Sequence, residues 1–184
     1  MRDAYYNLAQ AVYGLATELE EQKMKTTGAA VKPIDEKLIV NYQEIGELAE
    51  KLRAIDPANR NLLALQSRAY RGLSDLNSDV KVQTEWKNKL LAVLTANDAM
   101  TFMVENVTLT LGAGEVSLSG GVVNLKSTAG QPARIKVHFI GKDGSTIESQ
   151  DVTVTLPEVQ GATPFKATIK TDKPVAGWKY EVIS

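Results

Sequence analysis

The apolar residues of this chain keep two different beats, and the change between them near residue 100 limits the possible folds more than any other feature. Before that point they recur every three or four positions, as in Leu38, Tyr42, Ile45, Leu48 and Leu52, which lines one face of an α-helix. Beyond it they alternate, as in Ala133, Ile135, Val137 and Phe139 against Arg134, Lys136 and His138. That is the beat of a strand with one buried and one wet face. Helices first and strands second predict an α+β chain of two domains, not interleaved βαβ units. We expect antiparallel helical hairpins over residues 1–98 and an antiparallel β-sandwich over residues 99–184.

Four helices are predicted. The first covers Asp3 to Lys23, with Leu8, Val12, Leu15 and Leu19 as its inward stripe, and Thr26-Thr27-Gly28 breaks it. Pro33 suits the opening turn of the second, and the negative charge of Asp35 and Glu36 suits a helix N-terminus. That helix reaches Ile55, where Asp56-Pro57 ends it. The third runs from Asn59 to Leu76 with Leu62, Leu65, Ala69 and Leu73 inward, and Asn77-Ser78-Asp79 supplies a turn and a cap. The fourth carries Val82, Trp86, Leu90 and Val93 at helical spacing, where an aromatic belongs to the core. In the second half about seven short strands are expected, with Gly120-Gly121 as a bulge or tight bend and Gly141-Lys142-Asp143-Gly144 as a hairpin loop.

Charge and motif searches narrow the function. With 21 basic and 22 acidic residues there is no field to hold a phosphate backbone, so no nucleic-acid partner is expected. The chain has no cysteine, which removes disulfides, thiol nucleophiles and zinc ribbons. No apolar run approaches the roughly 18 residues of a membrane span. The single histidine, His138, alternates outward beside Arg134 and Lys136, with no carboxylate partner visible in sequence to build a triad. Neither Gly112-Ala113-Gly114 nor the 141–144 loop has the spacing of a phosphate cradle. Asn106-Val107-Thr108 matches a glycosylation acceptor but falls inside a predicted strand. No enzyme activity, metal or cofactor is expected. A helical pattern that starts with the first residues, without cap or leader, leads us to expect a piece of a longer protein whose remainder would carry a signal peptide, a lipid anchor or further repeats.

Two stretches resemble known families. Ala4-Tyr5-Tyr6-Asn7-Leu8-Ala9-Gln10-Ala11-Val12-Tyr13 resembles the first helix of a tetratricopeptide repeat. Ala54-Ile55-Asp56-Pro57-Ala58-Asn59 resembles the boundary between repeats, and Arg68-Ala69-Tyr70-Arg71-Gly72-Leu73-Ser74-Asp75 the first helix of a second unit. The likeness spans residues 3–95. Such units repeat at about 34 residues, so the first is enlarged, with the excess expected as a loop between Glu20 and Leu38, and Gln66 stands where a packed leucine is usual. A plain four-helix bundle remains the alternative. Residues 102–184 resemble the small immunoglobulin-like modules of bacterial envelope proteins. The FxLyD type is nearest, on Gly120-Gly121-Val122-Val123-Asn124, Val137-His138-Phe139-Ile140-Gly141-Lys142-Asp143-Gly144 and Pro164-Phe165, although Gly141-Lys142 interrupts the motif.

The repeat resemblance implies a protein- or peptide-binding face. Carried onto this chain, it comprises Tyr6, Gln10 and Tyr13 of the first unit and Asn61, Arg68 and Arg71 of the second. Tyrosines give rigid contact area and arginines forked donors, so an acidic or C-terminal peptide is the ligand class they suit. The same two arginines read equally well as solvation of a helix, and the tyrosines as bundle packing. The expected function is a non-catalytic interaction or scaffold protein of the bacterial envelope, extracytoplasmic or periplasmic. The alternative is a carbohydrate or small-ligand module on the sandwich, which would need exposed aromatics in a row.

Overall fold

The computed structural model describes residues 2–183. Four helices are followed by six antiparallel strands in two sheets, an α+β arrangement. The helices are α1 (Arg2–Met24), α2 (Lys32–Arg53), α3 (Arg60–Leu76) and α4 (Val80–Ala99). The strands are β1 (Phe102–Leu111), β2 (Glu115–Asn124), β3 (Pro132–Gly141), β4 (Thr146–Thr155), β5 (Ala162–Lys170) and β6 (Val175–Ile183). By contact the chain forms two compact units, one of residues 2–52 and 61–99, the other of 53–60 together with the chain from Met100 onward.

In the helical unit α2 buries Leu38, Tyr42, Ile45, Leu48 and Leu52, the stripe its spacing predicts. The stripe of α1 lies elsewhere. Ala9, Val12 and Ala16 are buried while Leu8 and Leu15 are exposed, because Ala9 packs among Leu48, Leu52 and Leu62 and only a small residue lets three helices approach that closely. The enlarged loop expected between Glu20 and Leu38 is not there. α1 continues to Met24, and only residues 25–31, including a 3-10 turn over Gly28–Val31, lead into α2. Asp79 caps α4, accepting from the Lys81 amide at 2.7 Å. Trp86 packs at 5.5 Å from the Tyr70 ring. Gln66 is buried but satisfied, its amide donating to the Tyr70 hydroxyl at 2.9 Å while that hydroxyl donates to Glu50.

The β unit has sheets ordered β1-β2-β5 and β4-β3-β6. This corresponds to positions A, B, E and C′, C, F of an immunoglobulin sandwich, with no G strand among the described residues. Among the described residues there are six strands, not seven, because β2 runs straight through Gly120-Gly121 and pairs with β1 and β5 along its length. Gly120 faces the core, where a Cβ would lie 2.7 Å from the Phe165 ring and 3.0 Å from the Glu105 carbonyl oxygen. The aromatic takes the space the glycine leaves. The real irregularity is in β1 between Glu105 and Thr108, where Asn106 adopts φ 54°. In β4 the register shift opposite Phe139/Ile140 lets Ile147 and Val152, of opposite parity, both pack on the core.

Residues 53–60 complete this unit where the seventh strand would lie. The Ile55 carbonyl accepts from the Tyr180 amide of β6 at 3.1 Å, and the Ala58 carbonyl from the Val104 amide of β1 at 2.9 Å. The Tyr180 hydroxyl donates to the Asp56 carboxylate at 2.5 Å and accepts from the Ala58 amide at 3.1 Å. Asp56 and Tyr180 are 0% and 1% exposed, and Ala58 belongs to the sandwich core. Two edge strands thus find hydrogen-bond partners in a segment from the first half of the chain.

Candidate functional site

In the helical unit Tyr6, Gln10 and Tyr13 project from α1 at intervals of four and three, one face of a helix. Asn61, Leu62, Ala64, Leu65 and Arg68 of α3 stand opposite, and the two rows enclose a groove of about 330 Å³. Leu62 is wholly buried at its base and Leu65 half-buried. Five of the six residues marked by the repeat resemblance line this groove; Arg71 is exposed and lies outside it.

One wall is built by charge. The Arg68 guanidinium stacks over the Tyr13 ring at 4.6 Å, donates to the Tyr13 hydroxyl, and donates from its other terminal nitrogen to Glu20 at 2.5 Å. Glu20 also accepts from the Tyr42 hydroxyl. Burial alone would lower the Arg68 pKa, but the Glu20 carboxylate and the Tyr13 phenol outweigh it and hold the guanidinium above its ordinary value. Tyr42 is pushed up as well, first by burial and then by its bond to Glu20. A carboxylate ligand reaching Arg68 would therefore compete with Glu20. At the other end Arg2 lies over the Tyr6 ring at 5.8 Å. Ala64, which lines the groove, and Glu20, which lies outside its lining but holds Arg68, are the residues that sequence reasoning passed over. Glu20 follows Tyr13 by seven positions, so continuing the face of Tyr6, Gln10 and Tyr13 by two more turns reaches it.

The sandwich gathers a second polar cluster around His138. Its Nδ1 lies 2.8 Å from Ser149 Oγ and its Nε2 3.3 Å from a Glu181 carboxylate oxygen. The sequence reading saw no carboxylate for this histidine, because Ser149 and Glu181 reach it only through the pairing of β3 with β4 on one side and β6 on the other. Nor is it an open surface residue, since only 13% of its side chain is exposed. Nε2 is enclosed and lacks hydrogen-bond geometry to Glu181. The backbone of β3 is paired on both sides, with β4 and with β6.

Of the sandwich aromatics, Phe102, Phe139, Phe165 and Tyr180 are buried, and half-buried Trp178 stacks against Tyr180 at 6.1 Å. Among the described residues there is no group of three or more His, Asp or Glu side chains that could hold a metal ion, and no helix long and apolar enough to cross a membrane.

No family model matches the chain, and no curated protein matches it. Among solved structures, a DUF1425 family member from Shewanella sp. pv-4 aligns over 45% of this chain and 77% of its own, at 17% identity and a TM-score of 0.36. The Pseudomonas fluorescens alkylpurine DNA glycosylase AlkC, bound to DNA containing an abasic site analog, aligns over 84% of this chain and 50% of its own, at 8% identity and a TM-score of 0.30. At such low scores and identities neither likeness bears on fold or function, and the chemistry of this chain is read from its own residues.

Proposed function

We propose that this is a non-catalytic interaction or scaffold protein of the bacterial envelope, working in an extracytoplasmic compartment. Its tetratricopeptide-like helical unit would hold an extended segment of a partner protein between α1 and α3. The sandwich, read as an immunoglobulin-like module of the FxLyD type, would serve as spacer or second contact. The reading is supported chiefly by the convergence of Tyr6, Gln10, Tyr13, Asn61 and Arg68 on one groove of about 330 Å³. Two tyrosines supply rigid contact area at low entropic cost, and Gln10 and Asn61 carry amides that can pair with a peptide backbone. An acidic or C-terminal peptide would gain Arg68 in exchange for Glu20, so its carboxylate would take over a charge-assisted bond already formed within the unit.

The test is selection from a displayed library of linear peptides against the whole chain, repeated with Ala64→Arg. Ala64 is exposed and lines the groove, so an arginine there fills the space without disturbing the core. We expect enriched peptides whose binding Ala64→Arg and Tyr6→Ala each weaken at least about tenfold, a loss of about 1.4 kcal/mol. Peptides that bind Ala64→Arg as well as the parent would remove the groove from the function.

A further inference from the structure

We infer that the second half of β1, from Asn106 to Leu111, pairs antiparallel with the same half-strand of a second copy of this chain. Two three-stranded sheets have four edges, and the other three are closed or guarded. β5 carries Pro164, which has no amide hydrogen, together with Lys166 and Lys170, and its Thr168 amide donates to Gln150 of β4 at 2.6 Å. β4 is tied to β5 by that bond and by its Thr155 carbonyl, which accepts from the Thr163 hydroxyl at 3.1 Å. β6 carries Lys179 and Glu181 and meets residues 53–60 at Tyr180. β1 meets the same segment at Val104, and from Asn106 to Leu111 it has neither charge nor proline.

The bulge at Asn106 sets which groups this half-strand offers. The Gly112 amide donates to the Glu115 carbonyl of β2. By alternation Thr108 and Thr110 also turn their main chain toward β2, while Val107, Leu109 and Leu111 turn theirs away. None of these outward amides and carbonyls is hydrogen-bonded among the described residues. Donors and acceptors repeated at every second residue are matched by another extended main chain. The sequence suits its own antiparallel copy. About a two-fold axis at Leu109, Val107 faces Leu111 of the other copy and Thr108 faces Thr110. Apolar meets apolar and hydroxyl meets hydroxyl, with about six main-chain hydrogen bonds formed. Val107 and Leu109 are half-buried on the sandwich core, whereas Leu111 is 62% exposed, so Leu111 of each copy covers the Val107 that the other leaves partly in water. The β1-β2-β5 sheets of the two copies join into one, and the isologous contact closes at two chains. One strand pair buries less than the roughly 1,200 Å² of a stable complex, so association is weak, on the order of 100 µM. It involves none of the residues of the α1–α3 groove and does not depend on that groove's function.

The experiment is sedimentation of the intact chain from about 10 µM to about 1 mM, with Leu111→Pro and Leu111→Val as variants. Leu111 is exposed and its amide faces away from β2, so the proline removes an outward donor without breaking a bond within the fold. Unchanged circular dichroism verifies this. The parent is expected to pass from one chain to two with concentration, and no further. Leu111→Pro weakens dimerisation at least about tenfold. Leu111→Val, which keeps the amide and an apolar side chain, dimerises within about twofold of the parent. The chain has no cysteine, so a mixture of Thr108→Cys and Thr110→Cys chains reads the register. Facing each other at a non-hydrogen-bonded position, the two Cα atoms lie about 4.5 Å apart, within disulfide reach, and mild oxidation yields the mixed disulfide in preference to either symmetric one. A parent that stays monomeric throughout overturns the inference, which is also the result if a strand of another protein occupies this edge. So does a Leu111→Pro chain that dimerises like the parent, a Leu111→Val chain that fails to dimerise, or oxidation that favours no pairing.

Discussion

Tyr42 and Gly72 provide the most direct test of how the helical unit is packed. Both residues lie where α2 meets α3, and an added Cβ at Gly72 would sit 2.6 Å from Tyr42 Cδ2 and 2.8 Å from its Cζ. Carbon atoms in contact prefer about 3.5–4.0 Å, so a methyl group fits only if the ring moves by roughly an ångström. The ring has little freedom to do so, being 3% exposed with its hydroxyl tied to Glu20. Overpacking of this kind costs about 1–3 kcal/mol, and losing the Tyr42–Glu20 bond would add about 1 kcal/mol. Against this, replacing a mid-helix glycine by alanine gains about 1 kcal/mol. Gly72→Ala should therefore destabilise the unit by about 1–3 kcal/mol. Gly14 is the control, because it is exposed on α1 and a Cβ there meets nothing within 4 Å. Gly14→Ala should stabilise by about 0.5–1 kcal/mol. Urea unfolding of the intact chain, followed by far-ultraviolet circular dichroism, reads both. A Gly72→Ala chain as stable as the parent would show that α2 and α3 do not approach through this pair.

Tyr180→Phe should cost the β unit about 2–3 kcal/mol, since a buried hydrogen bond to a carboxylate and one from the Ala58 amide are both lost; Trp178 fluorescence in a Trp86→Phe background reports it. Gly120→Ala should cost about 1–3 kcal/mol by driving a methyl group into Phe165 and the Glu105 carbonyl, and the same fluorescence measures it. Asn106→Val should cost about 1–2 kcal/mol because a β-branched residue is poorly suited to φ 54°, whereas Asn106→Gly should be close to neutral on thermal unfolding. Tyr42 has a raised pKa in the fold, so the folded state keeps a proton that the unfolded chain gives up. That contribution is intact below about pH 10 and is lost as pH rises through the folded value. The parent's helical stability should fall above about pH 10 more steeply than that of Tyr42→Phe, and equal alkaline slopes would contradict the assignment.

Much of this architecture can be read from the chain without coordinates, because the period of an element is set by its own side-chain directions. The four helices, the buried stripes of α2 and α3, the cap at Asp79 and the clean alternation of β3 and β5 are all local properties. So is the α1 row of Tyr6, Gln10 and Tyr13, which one helical face brings together regardless of its neighbours. The misreadings share one cause. Leu8 and Leu15 offer a more apolar stripe than Ala9, Val12 and Ala16, yet the smaller residues turn inward because helices approach most closely over alanine. Gly120-Gly121 has the look of a bend, but Phe165, forty-odd positions later, needs the space.

The face of Arg68 was legible; its engagement with Glu20 and Tyr13 was not, since it depends on where α3 lies beside α1. Nor does any sequence pattern join Asp56 to Tyr180 across more than a hundred residues. By itself the sequence determined which segments are helix or strand and which side of each is apolar. Tertiary structure decided which apolar side is covered, which charges are already paired, and that residues 53–60 belong with the strands. Those outcomes depend on steric fit and hydrogen-bond partners supplied by distant chain, and a local period carries no information about either.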